Sequence, residues 1–127
     1  MKNADQFKNQ KYLNLETFRK SGQGVQTPVW FVEKDGLLFV ITEPQSGKVK
    51  RIRRNPLVRL APCRMDGTVT GEWCAATARL LPENGVSDLD KLFNRKYGLM
   101  KFFFDLPSLF GRKRERAFIA IQLEPPG

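Results

Sequence analysis

No histidine occurs anywhere in the 127 residues, and that absence removes a large share of familiar enzyme chemistry. Ser-His-Asp and Cys-His nucleophile systems, histidine-based metal sites and histidine-ligated haem all require an imidazole. Cysteine is nearly as scarce. Cys63 and Cys74 are too few for a zinc site by themselves and read as reduced, inert core thiols. No apolar run approaches the ~18 residues of a membrane span, so no membrane partner is expected. The opening "MKNADQFKNQ" lacks the apolar stretch of a secretory signal, which gives a cytoplasmic reading. Internal repeats and low-complexity tracts are missing as well.

What is present in excess is positive charge. Lys and Arg number 22 against 13 Asp and Glu, for a net charge of +9. Such a surplus attracts anions of some kind, whether phosphates, carboxylates, nucleic acid or lipid headgroups. The length suits a single domain over 1–127 with a modest core.

Strand patterns dominate the first half. "YLNLETFR" (12–19) alternates, with Leu13, Leu15 and Thr17 on one face. After the turn "KSGQG", the β-branched and aromatic run "VQTPVWFVE" (25–33) reads as one strand, with Pro28 at a bulge or an unpaired edge. "KDG" turns tightly into "LLFVIT" (37–42). Further strands follow at 57–65, 72–81 and "AFIAIQLEP", making six. Helices are expected over 46–55, over "SDLDKLFNRKYG" (87–98) and in "LMKFFFDLPSLF" up to Pro107. Six strands in hairpin order with short helices between them point to a mainly β, antiparallel barrel.

The segment "ITEPQSGKVKRIRRNP" (41–56) carries the densest charge: Lys48, Lys50, Arg51, Arg53 and Arg54 within seven residues. Val49 and Ile52 are three apart, so a short amphipathic helix fits, capped by Ser46 and stopped by Pro56. Three readings compete. The run is a solvated helix face, a nucleic-acid patch helped by Trp30, Phe31 and Phe39, or a cradle for one phosphate. The cradle reading rests on helix-start N–H groups, Thr42 and Ser46 hydroxyls, the bare backbone of Gly47 and the Lys48 charge. Neither "SGK" nor "GQGVQT" completes a nucleotide fingerprint: the first lacks the P-loop's upstream glycine and following Ser/Thr, the second has Thr27 for the third glycine.

The order "TPVWFV", "GLLFVIT", "SGKVKRIRRNPLVRLAPC" resembles the FMN-binding split barrel of the pyridoxamine 5'-phosphate oxidase-like superfamily, and more closely its branch of coenzyme F420 (deazaflavin)-dependent enzymes. "KYGLMKFFF…GRKRERAFIAI" is similar to the end of that branch, so the likeness runs from about Tyr12 to Leu123, with Pro28–Cys63 its specific part. It implies a six-stranded antiparallel split β-barrel, a homodimer with cofactor at the subunit interface, and hydride transfer to an unsaturated small-molecule substrate. In the oxidases "Y-T-N-x-x-S-R-K" holds the FMN phosphate. Thr42, Ser46 and Lys48 match those positions, Gly47 replaces the arginine, and Lys50, Arg51 or Arg54 could compensate. Val29, Trp30 and Phe31 match the segment along the isoalloxazine ring. The oxidases' Arg-x-His substrate motif has no counterpart here, so that reaction is not expected. The cofactor carries the hydride in this class, and the only proton donors the chain suggests are Tyr97 and water. Coenzyme F420, with a phosphate followed by an oligoglutamate tail, suits the extra cations better than FMN. Arg59, Arg64 and the loop residues Arg112, Lys113, Arg114 and Arg116 are further candidates for a tail track. A non-catalytic flavin-binding or nucleic-acid-binding module is the alternative.

Overall fold

The chain crosses from one edge of its sheet to the other through a single residue, Trp30. The computed structural model describes residues 5–81, 87–98 and 116–124. Within them lie seven strands: β1 (Tyr12–Phe18), β2 (Gly24–Val29), β3 (Phe31–Lys34), β4 (Leu37–Thr42), β5 (Leu57–Cys63), β6 (Cys74–Leu80) and β7 (Ala117–Leu123). Two helices, α1 (Gly47–Arg54) and α2 (Ser87–Tyr97), are inserted between them. Every pairing is antiparallel, in the order β2-β1-β5-β6-β7-β4-β3. The two ends of that order are consecutive in sequence. Since Val29 pairs with Leu13 and Phe31 pairs with Val40, the sheet must curl until its edges meet at residue 30.

Sequence patterning gives six strands and the structure seven, because the run 25–33 changes partners at Trp30. Composition cannot show this, since both halves are equally β-prone. Pro28 lies on the edge strand β2, where its missing N–H costs no ladder bond. The turn between β3 and β4 places Asp35 at φ 53° and Gly36 at φ 80°, the left-handed pair that a two-residue hairpin requires.

All seven strands contribute to one interior, including Leu13, Leu15, Val29, Phe31, Val40, Leu60, Ala76 and Ile119. That shared interior is what makes the sheet a barrel. Both cysteines are buried and free, as expected. Helix α1 packs against β1 and β6. Ser46 caps it from an extended conformation, its Oγ accepting the Val49 N–H at 3.4 Å, and Asn55 ends it before Pro56. Val49 and Ile52 are 1% and 3% exposed, and burial of each is worth about 1.5–3 kcal/mol. A second apolar cluster lies outside the barrel, where Leu89, Phe93 and Tyr97 of α2 cover Val32, Phe39, Ile41 and Phe118. Gly98, at φ 50°, stops that helix. The expected helix in 99–107 and most of the 111–116 loop lie outside the described residues.

Ile52 is the side chain through which α1 joins the interior cluster. Ile52→Ala is expected to cost about 2–5 kcal/mol, read as a lowered urea midpoint with an unchanged slope.

Candidate functional site

A cavity of about 380 Å³ opens where β4 hands over to α1, beside the β2–β3 crossing. One wall is formed by Tyr12, Pro28, Val29 and Trp30, and the other by Ile41, Thr42, Glu43, Ser46 and Lys48. Its volume falls within the roughly 300–1,000 Å³ typical of small-molecule sites.

The polar corner follows from the helix start. Thr42 ends β4 and donates its hydroxyl to Ser46 Oγ at 3.4 Å. Ser46 Oγ also accepts the Val49 N–H, so its own proton is left to donate to a ligand. The first-turn N–H groups of α1 have no acceptor within the helix. Lys48 is half-buried and, among the described residues, forms no ion pair. Burial pushes its ammonium below the ordinary lysine range, Arg51 adds to the shift, and Glu43 opposes it. An anion bound here would restore the interaction that burial removed from Lys48.

The aromatic wall is fixed from behind. Trp30 stacks on Tyr97, with centroids 4.5 Å apart and planes 13° from parallel. The Tyr97 hydroxyl accepts the Phe31 N–H at 2.8 Å and lies 2.7 Å from the Lys11 carbonyl and 3.0 Å from that of Phe31. Burial raises its pKa far above the usual tyrosine value. This hydroxyl faces backbone and lies outside the cavity lining, so Tyr97 serves as a buttress to the wall. Lys96 Nζ donates to the same Phe31 carbonyl at 2.7 Å and sits 3.5 Å from the centre of the Phe31 ring.

The structure brings five of the ten sequence candidates into the lining: Val29, Trp30, Thr42, Ser46 and Lys48. Phe31 does not join them. Its ring is 2% exposed in the interior and packs edge-on against Phe7 at 6.1 Å, while both its backbone polar groups are engaged by α2. Gly47, Lys50, Arg51 and Arg54 also lie outside the lining. Lys50 is exposed, Arg51 Nε donates to Thr17 Oγ1 at 2.7 Å, and Arg54 reaches the Phe18 carbonyl at 3.4 Å. Two suggested tail contacts are committed elsewhere. Arg59 pairs with Glu16 at 3.0 Å and covers the Trp73 ring, and Arg116 pairs with Asp90 at 2.6 Å. Sequence reasoning missed Tyr12, Pro28, Ile41 and Glu43 as wall residues. Ile41 and Glu43 flank Thr42 and were findable by adjacency. Tyr12 comes from a separate strand and has no local signal.

No known family profile and no curated protein matches the sequence. Solved structures do match over nearly the whole chain. A candidate pyridoxamine 5'-phosphate oxidase from Listeria innocua is 14% identical, with a TM-score of 0.68 over 98% of this chain and 92% of its own. An F420 reductase is 17% identical, with a TM-score of 0.62 over 95% and 92%. The haem storage protein HutZ of Vibrio cholerae is 13% identical, with a TM-score of 0.66 over 98% and 89%. The fold is the pyridoxamine 5'-phosphate oxidase-like split barrel. At these identities the likeness is one of fold. Among the described residues of this split barrel no helix is long and apolar enough to cross a membrane.

Lys96 gives the buttress a pH signature. Burial lowers its pKa from 10.5 to about 8, so between those values the unfolded chain binds more protons than the folded one. Its contribution to stability is therefore full above 10.5 and lost as pH falls through about 8. Tyr97, shifted upward, acts oppositely above pH 10. The urea midpoint is expected to rise from pH 8 to 10, and Lys96→Met to flatten that rise.

Proposed function

We propose that this split barrel is an oxidoreductase holding a phosphorylated flavin-type cofactor in the Trp30–Lys48 cavity, coenzyme F420 in preference to FMN. The observation that carries the reading is the junction, within one cavity, of a braced aromatic wall and a hydroxyl–ammonium corner. The residues fit the group. Val29 and Trp30 offer a flat apolar face to a ring, and Ser46, Lys48 and the first-turn N–H groups of α1 offer donors to a phosphoryl oxygen. When bound, the cofactor supplies hydride transfer at its ring to an unsaturated organic substrate. The chain's own part is binding, orientation and exclusion of water. Solved structures of the same fold include an F420 reductase and a candidate pyridoxamine phosphate oxidase, which supports the cofactor class.

The cavity is open to solvent, which leaves room for a second copy to add to its wall. A homodimer with cofactor at the subunit interface belongs to the same proposal. A non-catalytic flavin carrier is the second reading, favoured by the retreat of Tyr97 from the cavity. Haem held through an imidazole, by contrast, is excluded by composition.

Titration of purified protein with coenzyme F420 and with FMN, followed by visible absorption, tests binding. Oxidation of reduced cofactor by a panel of unsaturated acceptors tests turnover. Lys48→Ala is expected to weaken cofactor affinity about tenfold to a hundredfold, the worth of one charge-assisted contact. Unchanged affinity would remove Lys48 from the site.

A further inference from the structure

Among the described residues three side-chain hydroxyls line the cavity, and two of them belong to its polar corner. Thr42 donates its hydroxyl to Ser46 Oγ, and Ser46 keeps its own proton for a phosphoryl oxygen. The third, Tyr12, stands on the opposite wall with Pro28 and Trp30, away from the anion corner. It is half-buried, and among the described residues its hydroxyl has no hydrogen-bond partner and is not sealed from water. A phenol at the ring end of a ligand site, with its proton uncommitted, can act as a general acid.

Tyr12 is also fixed in place. Its backbone opens β1 opposite Cys63, and the next residue, Leu13, pairs with Val29 of the same wall. The Tyr97 hydroxyl lies 2.7 Å from the Lys11 carbonyl, one residue before Tyr12. It also accepts the Phe31 N–H, one residue after Trp30. One oxygen thus ties together the two backbone segments that carry Tyr12 and Trp30. Burial first, and Tyr12 after it, raise the pKa of Tyr97, so the two phenols lie within electrostatic reach of each other.

We infer that Tyr12 is the catalytic proton donor of this cavity, meeting the oxygen of an acceptor whose double bond is conjugated to a carbonyl. This rests on the function proposed above and gives the chain a chemical role within it. The acceptor takes hydride at its β-carbon from the reduced flavin-type cofactor, and the C=C electron pair moves through the α-carbon onto the carbonyl oxygen. The Tyr12 O–H bond breaks as its proton joins that oxygen. The enol so formed converts in water to the saturated carbonyl compound. Once the product leaves, water returns a proton to the phenolate and takes up the one that two-electron oxidation of the cofactor leaves over. The sum is two hydrogens passed from cofactor to acceptor. An isolated double bond would leave the pair on carbon, where an O–H donor has no oxygen to meet.

The chain contains two tyrosines, so protein labelled with carbon-13 at the tyrosine Cζ gives two resonances, and Tyr12→Phe assigns them. Cyclohex-2-en-1-one, the probe acceptor, is expected to shift the Tyr12 resonance and leave that of Tyr97 in place, with or without cofactor. In the loaded protein Tyr12→Phe is expected to leave cofactor affinity unchanged and to slow single-turnover reduction of the probe about a hundredfold or more, as loss of a general acid does. The solvent deuterium isotope effect on that step should disappear with the phenol. A Tyr12 resonance that the probe does not move overturns the inference, as does a variant that reduces the probe as fast as wild type. If neither coenzyme F420 nor FMN binds, the proposed function fails and takes the hydride step with it. A probe that still shifts Tyr12 then leaves the donor site standing, and one that does not removes both.

Discussion

The fold turns on how the backbone is held at Phe31. Phe31 opens the edge strand β3 directly after the crossing at Trp30, and an edge strand has no neighbour on its outer side to partner its N–H and C=O. The Tyr97 hydroxyl and the Lys96 ammonium supply the missing partners. A buried N–H or C=O left alone would cost about 1–3 kcal/mol, so the crossing depends on a helix more than sixty residues away. The same tyrosine ring carries Trp30 on its face. Barrel closure and the rigidity of the cavity wall are therefore one interaction seen from two sides. A ligand that stacks against that wall meets a surface whose conformational entropy has already been lost during folding.

The cations of α1 show why a charge run is not a site. At about 100° per residue the helix sends Lys48 toward the cavity, Lys50 and Arg53 to solvent, and Arg51 with Arg54 toward the end of β1. Only partial burial makes any of these groups poised. Lys48 and Arg51 have lost some water without gaining a carboxylate, and each is left with unused capacity to stabilise an anion. Lys50 and Arg53 keep their hydration shells and gain little from any partner.

Much of this was legible because the signals were local. Ser46 as cap, Pro56 as stop, the Asp35–Gly36 turn and the alternation of Leu13, Leu15 and Thr17 each depend on neighbours within a few residues. The split at Trp30 was not legible, since a strand that changes partners keeps the same composition. Phe31 was misplaced as a wall residue for a related reason: beside an aromatic that faces the cavity, the next side chain points into the barrel. Tyr12 escaped notice because it reaches the cavity only through the β1–β2 pairing. The retreat of Tyr97 depends on α2 lying outside the barrel, which its apolar stripe permits but does not dictate.

The competing idea of a nucleic-acid surface can be weighed on the same geometry. Single strands bind where bases stack on exposed aromatics along a cationic groove. Phe31 and Phe39 are buried, and one face of Trp30 is already covered by Tyr97, so the aromatics offer no continuous stacking row. The pocket's charged lining is one lysine set against one glutamate, Glu43. A repeating polyanion gains little from such a balance. A ligand with one flat ring and one compact acidic group gains from every part of it, and this difference in fit is what favours the small redox molecule.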